Sequence, residues 1–298
     1  MRASPRILFV TSSRIGDAML STGLLAHLLR AHPEARVTVA SGPAAAELFL
    51  RMPNLERLIV FDKRPFGRHW LKLWAETAGT WWDLVVDVRG SALGFLLPTA
   101  RRARCRHLPG PKIAELAAML KLSPPPLPVA WFSPQDAAHA AALLPDAPLV
   151  ALGPTANWSG KVWPAERFVA LFEALRAGAL PAARAVVLAG PGEAERAMAA
   201  PVLAALPDAI DLCGALSLPE AAAVLTRCRL FVGNDSGLMH LAAGAGTPTL
   251  GLFGPTPAEQ YAPAGLHTAV ARARGTAMDS LDVADALAAA RALLAEAA

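Results

Sequence analysis

Asp235-Ser236-Gly237, with His240 four residues after the serine, stand between an apolar run ending in FVGN and a glycine-punctuated stretch of helical spacing. A strand that enters a helix through a serine and a glycine leaves main-chain N–H groups without intrahelical acceptors. Those groups carry partial positive charge, so the motif suits an anion such as a diphosphate, and Gly237 lets that ligand approach the backbone. Ser236 and His240 are one helical turn apart and fall near the same face, where His240 either meets the phosphates or is a satisfied structural histidine. Lys161 belongs to LGPTANWSGKVWP (residues 152–164), which leaves a second apolar run and enters a helix where Pro164 suits the first helical position. A lysine at such a rim either neutralises a departing diphosphate or is a solvated loop residue. Thr155 and Asn157 add hydrogen-bonding groups beside it, whereas Trp158 and Trp163 read as packing residues.

Two carboxylates complete the set. Asp17 follows the first apolar run and opens a helix, in the loop where an α/β domain places its functional groups; it is a candidate general base or a first-turn carboxylate favoured by the helix dipole. A carboxylate is a weak base in water, and desolvation around bound substrate strengthens it. Glu193, in GPGE after another apolar run, either reaches the ribose hydroxyls of a nucleotide or serves as a helix-start carboxylate.

Several chemistries are excluded by what is absent. There is no GxGxxG after the first strand, no GxxxxGK[ST], no DxD pair and no GxSxG, which argues against a dinucleotide dehydrogenase, a P-loop enzyme, a metal-dependent sugar transferase and an α/β-hydrolase. Lysine and helix dipole would then stand in for a cation, so neither cofactor nor metal is expected. Cys105, Cys213 and Cys228 are odd in number and contain no CxxC pair, which fits a reducing cytoplasm. No apolar run is long and uninterrupted enough for a membrane span.

Residues 1–140 hold 18 Lys and Arg against 10 Asp and Glu, and residues 141–298 hold 10 against 14. The first half is therefore expected to face an acidic partner: a nucleic acid, a membrane surface or a phosphorylated glycolipid. Residues 63–82 interleave Lys63, Arg64, Arg68 and Lys72 with Phe66, Trp70, Trp74, Trp81 and Trp82, a mixture suited to a membrane interface or to an ordinary solvated face. Arg101, Arg102, Arg104 and Arg106 form a second basic cluster. Arg14, Arg64, Arg68, Arg101 and Arg102 are candidates for holding the acceptor. No nucleic-acid-binding motif accompanies these cations.

The elements that must position these residues alternate. Ile7–Val10, Val37–Ala40 and residues 84–88 read as strands, with a helix over Asp17–Ala31; after the proline-rich residues 123–128 the rhythm restarts. Strands are expected over residues 149–152, 186–189, 230–232 and 249–253, with helices over 135–144, 165–177, 193–205 and 219–226. Buried parallel sheets give this alternation. The expectation is two doubly wound, Rossmann-like α/β domains facing each other across a cleft, with ligands at the carboxyl ends of the strands. The first spans residues 1–140 and the second 141–278, with a terminal helix over 279–298 packing back on the first.

Taken together, RIGDAMLSTGLL, GPTANWSGKVWPAERF, LAGPGEAERA, LCGALSLPEAAAVL and GNDSGLMHLAAGAGTPTLGLFGPT resemble, in this order, glycosyltransferase family 9, the bacterial heptosyltransferases that use ADP-heptose. The resemblance implies a GT-B fold and inverting, metal-independent transfer of a heptose to a lipopolysaccharide inner-core acceptor. It places Asp17 at the base position, Lys161 at the phosphate-binding lysine, Asp235, Ser236, Gly237 and His240 on the nucleotide motif, and Glu193 at the ribose. The partners it implies are a nucleotide-diphospho-sugar and an acidic glycolipid of the lipid A-Kdo type, met in the cytoplasm at the inner face of the inner membrane. A relative using another nucleotide sugar, such as an N-acetylglucosamine donor, and a non-catalytic nucleotide-sugar-binding module are the alternatives.

Overall fold

The computed structural model describes residues 4–62, 65–106 and 108–298. The chain forms two compact units, Met1–Trp131 and Phe132–Ala298.

In the first unit, β1 (Arg6–Val10), β2 (Arg36–Ser41), β3 (Leu55–Val60), β4 (Trp82–Asp87) and β5 (Thr99–Arg104) make a parallel sheet in the order β3-β2-β1-β4-β5. β1 is central, and Ile7, Leu8, Phe9 and Val10 are all buried, as a strand covered on both faces requires. Chain order runs outward from β1 to β3, then returns to place β4 on the other side of β1. The gap between β1 and β4 is thus the switch point of the sheet, where α/β folds bind ligands at the strands' carboxyl ends. The Ile15–Ala31 helix leaves β1 and buries Met19, Leu20, Leu24, Leu25 and Leu28. Gly23 on this helix is fixed by close approach: a Cβ there would lie 2.4 Å from the Pro126 carbonyl oxygen. The proline-rich segment is held against the helix by the Val129 N–H, which donates to Thr22 Oγ1 at 2.8 Å.

The second unit repeats the plan with β6 (Leu149–Gly153), β7 (Arg184–Val187), β8 (Ile210–Asp211), β9 (Leu230–Asn234), β10 (Thr249–Phe253) and β11 (Thr268–Arg272), all parallel, in the order β11-β10-β9-β6-β7-β8. Its switch point lies between β6 and β9. Trp163, Phe168, Leu171 and Leu175 pack with Val150, Leu152, Val187 and Val232 in its core.

Two boundaries differ from those read in the sequence. The Pro134–Leu143 helix packs against the Leu218–Thr226 helix, with His139 Nδ1 2.9 Å from Glu220 Oε1, so it belongs to the second unit and the division falls at 131/132 instead of 140/141. The terminal Val283–Glu296 helix joins the second unit as well, not the first. Its Ala286, Ala290 and Leu293 enter that core, packing against the Ala165–Arg176 helix, β10 and β11. The reason is a long-range tie: Trp163 Nε1 donates to the Leu281 carbonyl at 3.0 Å, and Arg167 donates to the same oxygen.

Candidate functional site

β6 and β9 run side by side and both end at the switch point, Gly153 pairing with Gly233. Neither glycine can carry a side chain, because a Cβ would lie 2.7 Å from the Phe231 ring at Gly153 and 2.6 Å from it at Gly233. Beyond Gly233 the strand ends in Asn234, which is fully buried and spans the two strand ends. Its Oδ1 accepts from the Trp163 N–H at 3.0 Å, and its Nδ2 donates to the Thr155 carbonyl at 3.5 Å. The β6 loop is therefore fixed before Lys161 is placed.

Lys161 closes a short 3-10 turn, Ser159–Lys161, and its Nζ donates to Asp235 Oδ2 at 2.5 Å. The lysine and aspartate side chains are 19% and 10% exposed, so the pair is largely but not wholly withdrawn from solvent. Ser236 is the N-cap residue of the Gly237–Gly244 helix but makes no capping hydrogen bond; its Oγ is buried without a partner among the described residues. A buried hydroxyl left unsatisfied carries a cost that a ligand oxygen would relieve. The same helix start presents N–H groups that no residue of the helix can accept from. Ammonium, hydroxyl and amide donors thus converge at one strand end, a donor set suited to phosphate oxygens.

The other residues singled out by sequence are distributed unevenly. Thr155 is buried and contributes its carbonyl to Asn234, while Asn157 is exposed and no hydrogen bond ties it to the Lys161–Asp235 pair among the described residues. His240 is buried one turn into the helix after Ser236. Glu193 begins the Glu193–Ala205 helix after β7, next to β6, and is exposed; it is Glu195 that turns back, accepting from the Gly190 N–H at 3.3 Å. Trp163 packs edge-on against Phe168 at 5.1 Å in full burial. Trp158 is exposed, and its ring lies so near Gly160 that a Cβ there would be 2.0 Å from it. Asn234 was missed in the sequence, although a polar residue closing a fully apolar strand is the signal that could have found it.

In the first unit, Asp17 lies in the first turn of the Ile15–Ala31 helix, beside the carboxyl end of β1, half-buried. It caps nothing: Arg14 is the N-cap residue, exposed, and the helix has no side-chain cap. Behind it Thr11 Oγ1 and Ser21 Oγ meet at 2.8 Å in full burial. Across the switch point, Asp87 closes β4, where burial pushes its carboxyl above the usual value against the pull of Ser91 and the Arg89 N–H. Nearby, Glu115 accepts from Lys112 and from Cys105 Sγ. Burial opposes the Lys112 ammonium, but Glu115, with smaller help from Cys105 and Asp17, lifts it above the ordinary lysine value. Of the candidate acceptor residues, Arg14 shares the helix start with Asp17, whereas the β5 arginines are placed elsewhere. Arg101 and Arg102 lie within the edge strand β5, separated from β1 by β4, and Arg102 is committed to the Gly94 and Leu97 carbonyls at 2.6 and 3.3 Å. Arg68 is exposed at the start of the Arg68–Thr77 helix, and Arg64 lies outside the described residues.

Among the described residues no group of three or more His, Cys, Asp or Glu side chains is gathered as for a metal ion, and no helix is long and apolar enough to cross a membrane. Residues 113–288, which hold Lys161, Asp235 and Ser236, match the model of "Glycosyltransferase family 9 (heptosyltransferase)". The chain belongs to glycosyltransferase family 9. It is similar, at 34% identity over 128 residues, to lipooligosaccharide heptosyltransferase 2 of Haemophilus influenzae, an alignment covering 41% of this chain and 35% of that protein. The chain thus spans about a third of that family relative's length. Among solved structures, the family 9 glycosyl transferase from Veillonella parvula superposes with a TM-score of 0.82 at 21% identity, over 98% of this chain and 97% of that one. The E. coli ADP-heptose lps heptosyltransferase II gives 0.76 at 20% identity, over 98% and 99%. These superpositions show a family 9 fold of the GT-B class, built from two Rossmann-like parallel-sheet units.

Proposed function

We propose that this family 9 protein is an inverting glycosyltransferase that moves a heptose from ADP-heptose to an acidic lipopolysaccharide inner-core acceptor, working on the cytoplasmic side of the membrane that carries that acceptor. The observation that carries the reading is the Lys161–Asp235 pair beside the buried, unpartnered Ser236 Oγ at a helix start. Such a site receives a diphosphate through donors already in place, so little reorganisation is needed as charge grows on the leaving group. Asp235 holds the Lys161 ammonium in position before the donor arrives and leaves its remaining protons for phosphate oxygens.

In the proposed step, Asp17 takes the proton of the acceptor hydroxyl while that oxygen forms a bond to the anomeric carbon. The bond from that carbon to the diphosphate oxygen breaks on the opposite face, ADP departs, and the configuration inverts. Lys161, the Ser236 hydroxyl and the helix-start amides take up the charge of the departing diphosphate. The donor identity rests on family membership and on the name of the E. coli structure; the phosphate geometry alone accepts any nucleotide sugar.

The test compares melting temperatures with ADP-, UDP- and GDP-sugars, then follows ADP release with a deacylated core acceptor. A ligand bound only by the native state raises the melting temperature. The expected result is a shift with ADP-sugars alone and release that requires acceptor. A preference for UDP-sugars overturns the donor, and donor binding without release under any acceptor overturns catalysis.

A further inference from the structure

The sequence singled out residues 63–82 as a mixture of cations and aromatic rings; the structure places a second such segment beside it. On the Arg68–Thr77 helix, Leu73, Trp70 and Thr77 turn inward, while Leu71 and Trp74 stand outward, 68% and 43% exposed. The short Leu93–Leu96 helix after β4 presents Phe95 and Leu96, 63% and 64% exposed. The two helices are joined, since Trp74 Nε1 donates to the Leu96 carbonyl at 3.2 Å. Four large apolar side chains thus lie exposed on two adjoining helices. Phe66, at the start of the same helical stretch, is fully exposed as well.

Exposed cations predominate around this face. Residues 84–133 contain seven Lys and Arg but only two acids, Asp87 and Glu115, and both are buried. Arg102 and Arg104, on the edge strand, reach over the Leu93–Leu96 helix: Arg102 bonds the Gly94 carbonyl, and the Arg104 guanidinium lies 5.5 Å from the Phe95 ring centroid. On the neighbouring helix, Glu76 is engaged by Arg57 at 2.5 Å and by Lys72 at 3.8 Å, so it offers little free negative charge. Protruding Leu, Phe and Trp side chains ringed by exposed cations fit a surface that is anionic outside and apolar a few ångströms within. They fit single-stranded nucleic acid poorly, because base stacking needs open ring faces and arginines lie over both Phe95 and Trp70.

We propose that this face of the first unit, built by the Arg68–Thr77 and Leu93–Leu96 helices and the β5 arginines, docks on an anionic lipid bilayer, with Leu71, Trp74, Phe95 and Leu96 entering the interface. The proposal deepens the glycolipid-acceptor reading by naming the surface that meets the acceptor's membrane. Its test needs no donor, acceptor or turnover, so either can fail alone.

The experiment is flotation of the full chain with phosphatidylglycerol-rich vesicles and with phosphatidylcholine vesicles, for the wild type and for Leu71→Glu, Leu96→Glu and Lys72→Glu. The wild type is expected to float with the anionic vesicles in a salt-sensitive way and to stay soluble with phosphatidylcholine. Leu71→Glu and Leu96→Glu should each weaken partition by about tenfold or more, and Lys72→Glu by about tenfold, with nucleotide-induced melting shifts unchanged. All three positions are on the surface, and an unaltered melting temperature confirms folding. A wild type that stays soluble with anionic vesicles, one that binds phosphatidylcholine equally well, or variants that float like the wild type would overturn the proposal.

Discussion

Both units end their central strands at a switch point, β1 against β4 in the first and β6 against β9 in the second, yet they finish those strands differently. In the second unit the strand ends are cross-linked by side chains: Asn234 bridges β9 to the β6 loop, and Lys161 and Asp235 close over the end. In the first, the Asp17 side chain stands at its strand end without a hydrogen bond among the described residues, with Arg14 at the same helix start and most other cations on helices and an edge strand. The proposed diphosphate site gains from donors fixed in advance, because charge can then grow there with little reorganisation. A base must instead change partners during the reaction, and a side chain held in a network is a poor candidate for that task.

Five substitutions, one of them added to another, probe this contrast. Asp17→Asn should lower turnover by about 10²- to 10⁴-fold while the donor-induced melting shift is kept, since only proton transfer is removed. Near-normal turnover would take Asp17 out of the chemistry and leave the contrast without its first half. Next, Lys161→Met should weaken donor affinity by about 10- to 100-fold, as expected for loss of a charged hydrogen bond, and lower the melting temperature by stranding Asp235. Adding Asp235→Asn should restore the melting temperature but not the affinity; a single variant as stable as the wild type would show that the pair is not a fixed unit.

Ser236→Ala gives a smaller effect with an unusual sign. Removing a buried hydroxyl that lacks a partner should leave stability equal or raise it by about 1 kcal/mol, while donor binding falls. A clear loss of stability would place a partner on that oxygen in the unliganded protein. Least affected is Glu220→Ala, in the capping box of the Leu218–Thr226 helix. The Ser217 hydroxyl and N–H, with His139, hold the Glu220 carboxyl below its usual value, so its contribution is present above the ordinary carboxylate range and is lost as pH falls through it. The substitution should cost about 0.5–1 kcal/mol near neutrality, given partial exposure, and nothing in acid; chemical denaturation at two pH values checks the difference.

What could be read in the sequence follows burial. β1, β6, β9 and β10 are apolar at nearly every position because both faces are covered, and the sequence places each within a residue or two. The edge strands were not legible. β5 is TARRAR, and its arginines read as a surface cluster, since an edge strand exposes enough of its length to tolerate charge. β3, LERLIV, is half-exposed for the same reason, and β8 is two residues long. Lys161 and Asp235 were both visible as candidates, because each follows a buried strand, but not their direct pairing across 74 residues. The terminal helix was assigned to the wrong unit because its alanines carry almost no directional pattern. Its partner is set instead by the Trp163–Leu281 bond, which spans 118 residues.

That bond makes the last stretch of chain a strut of the second unit's strand-end architecture. Trp163 follows Lys161 by two residues, and its main-chain N–H holds Asn234 while its indole holds Leu281. The family match stops at residue 288, inside the Val283–Glu296 helix, so a version trimmed to that match would lose Ala290 and Leu293. Shortening the protein by ten residues at a place remote in sequence would then keep the Leu281 bond but strip the packing that backs it, and with it the support behind the lysine loop.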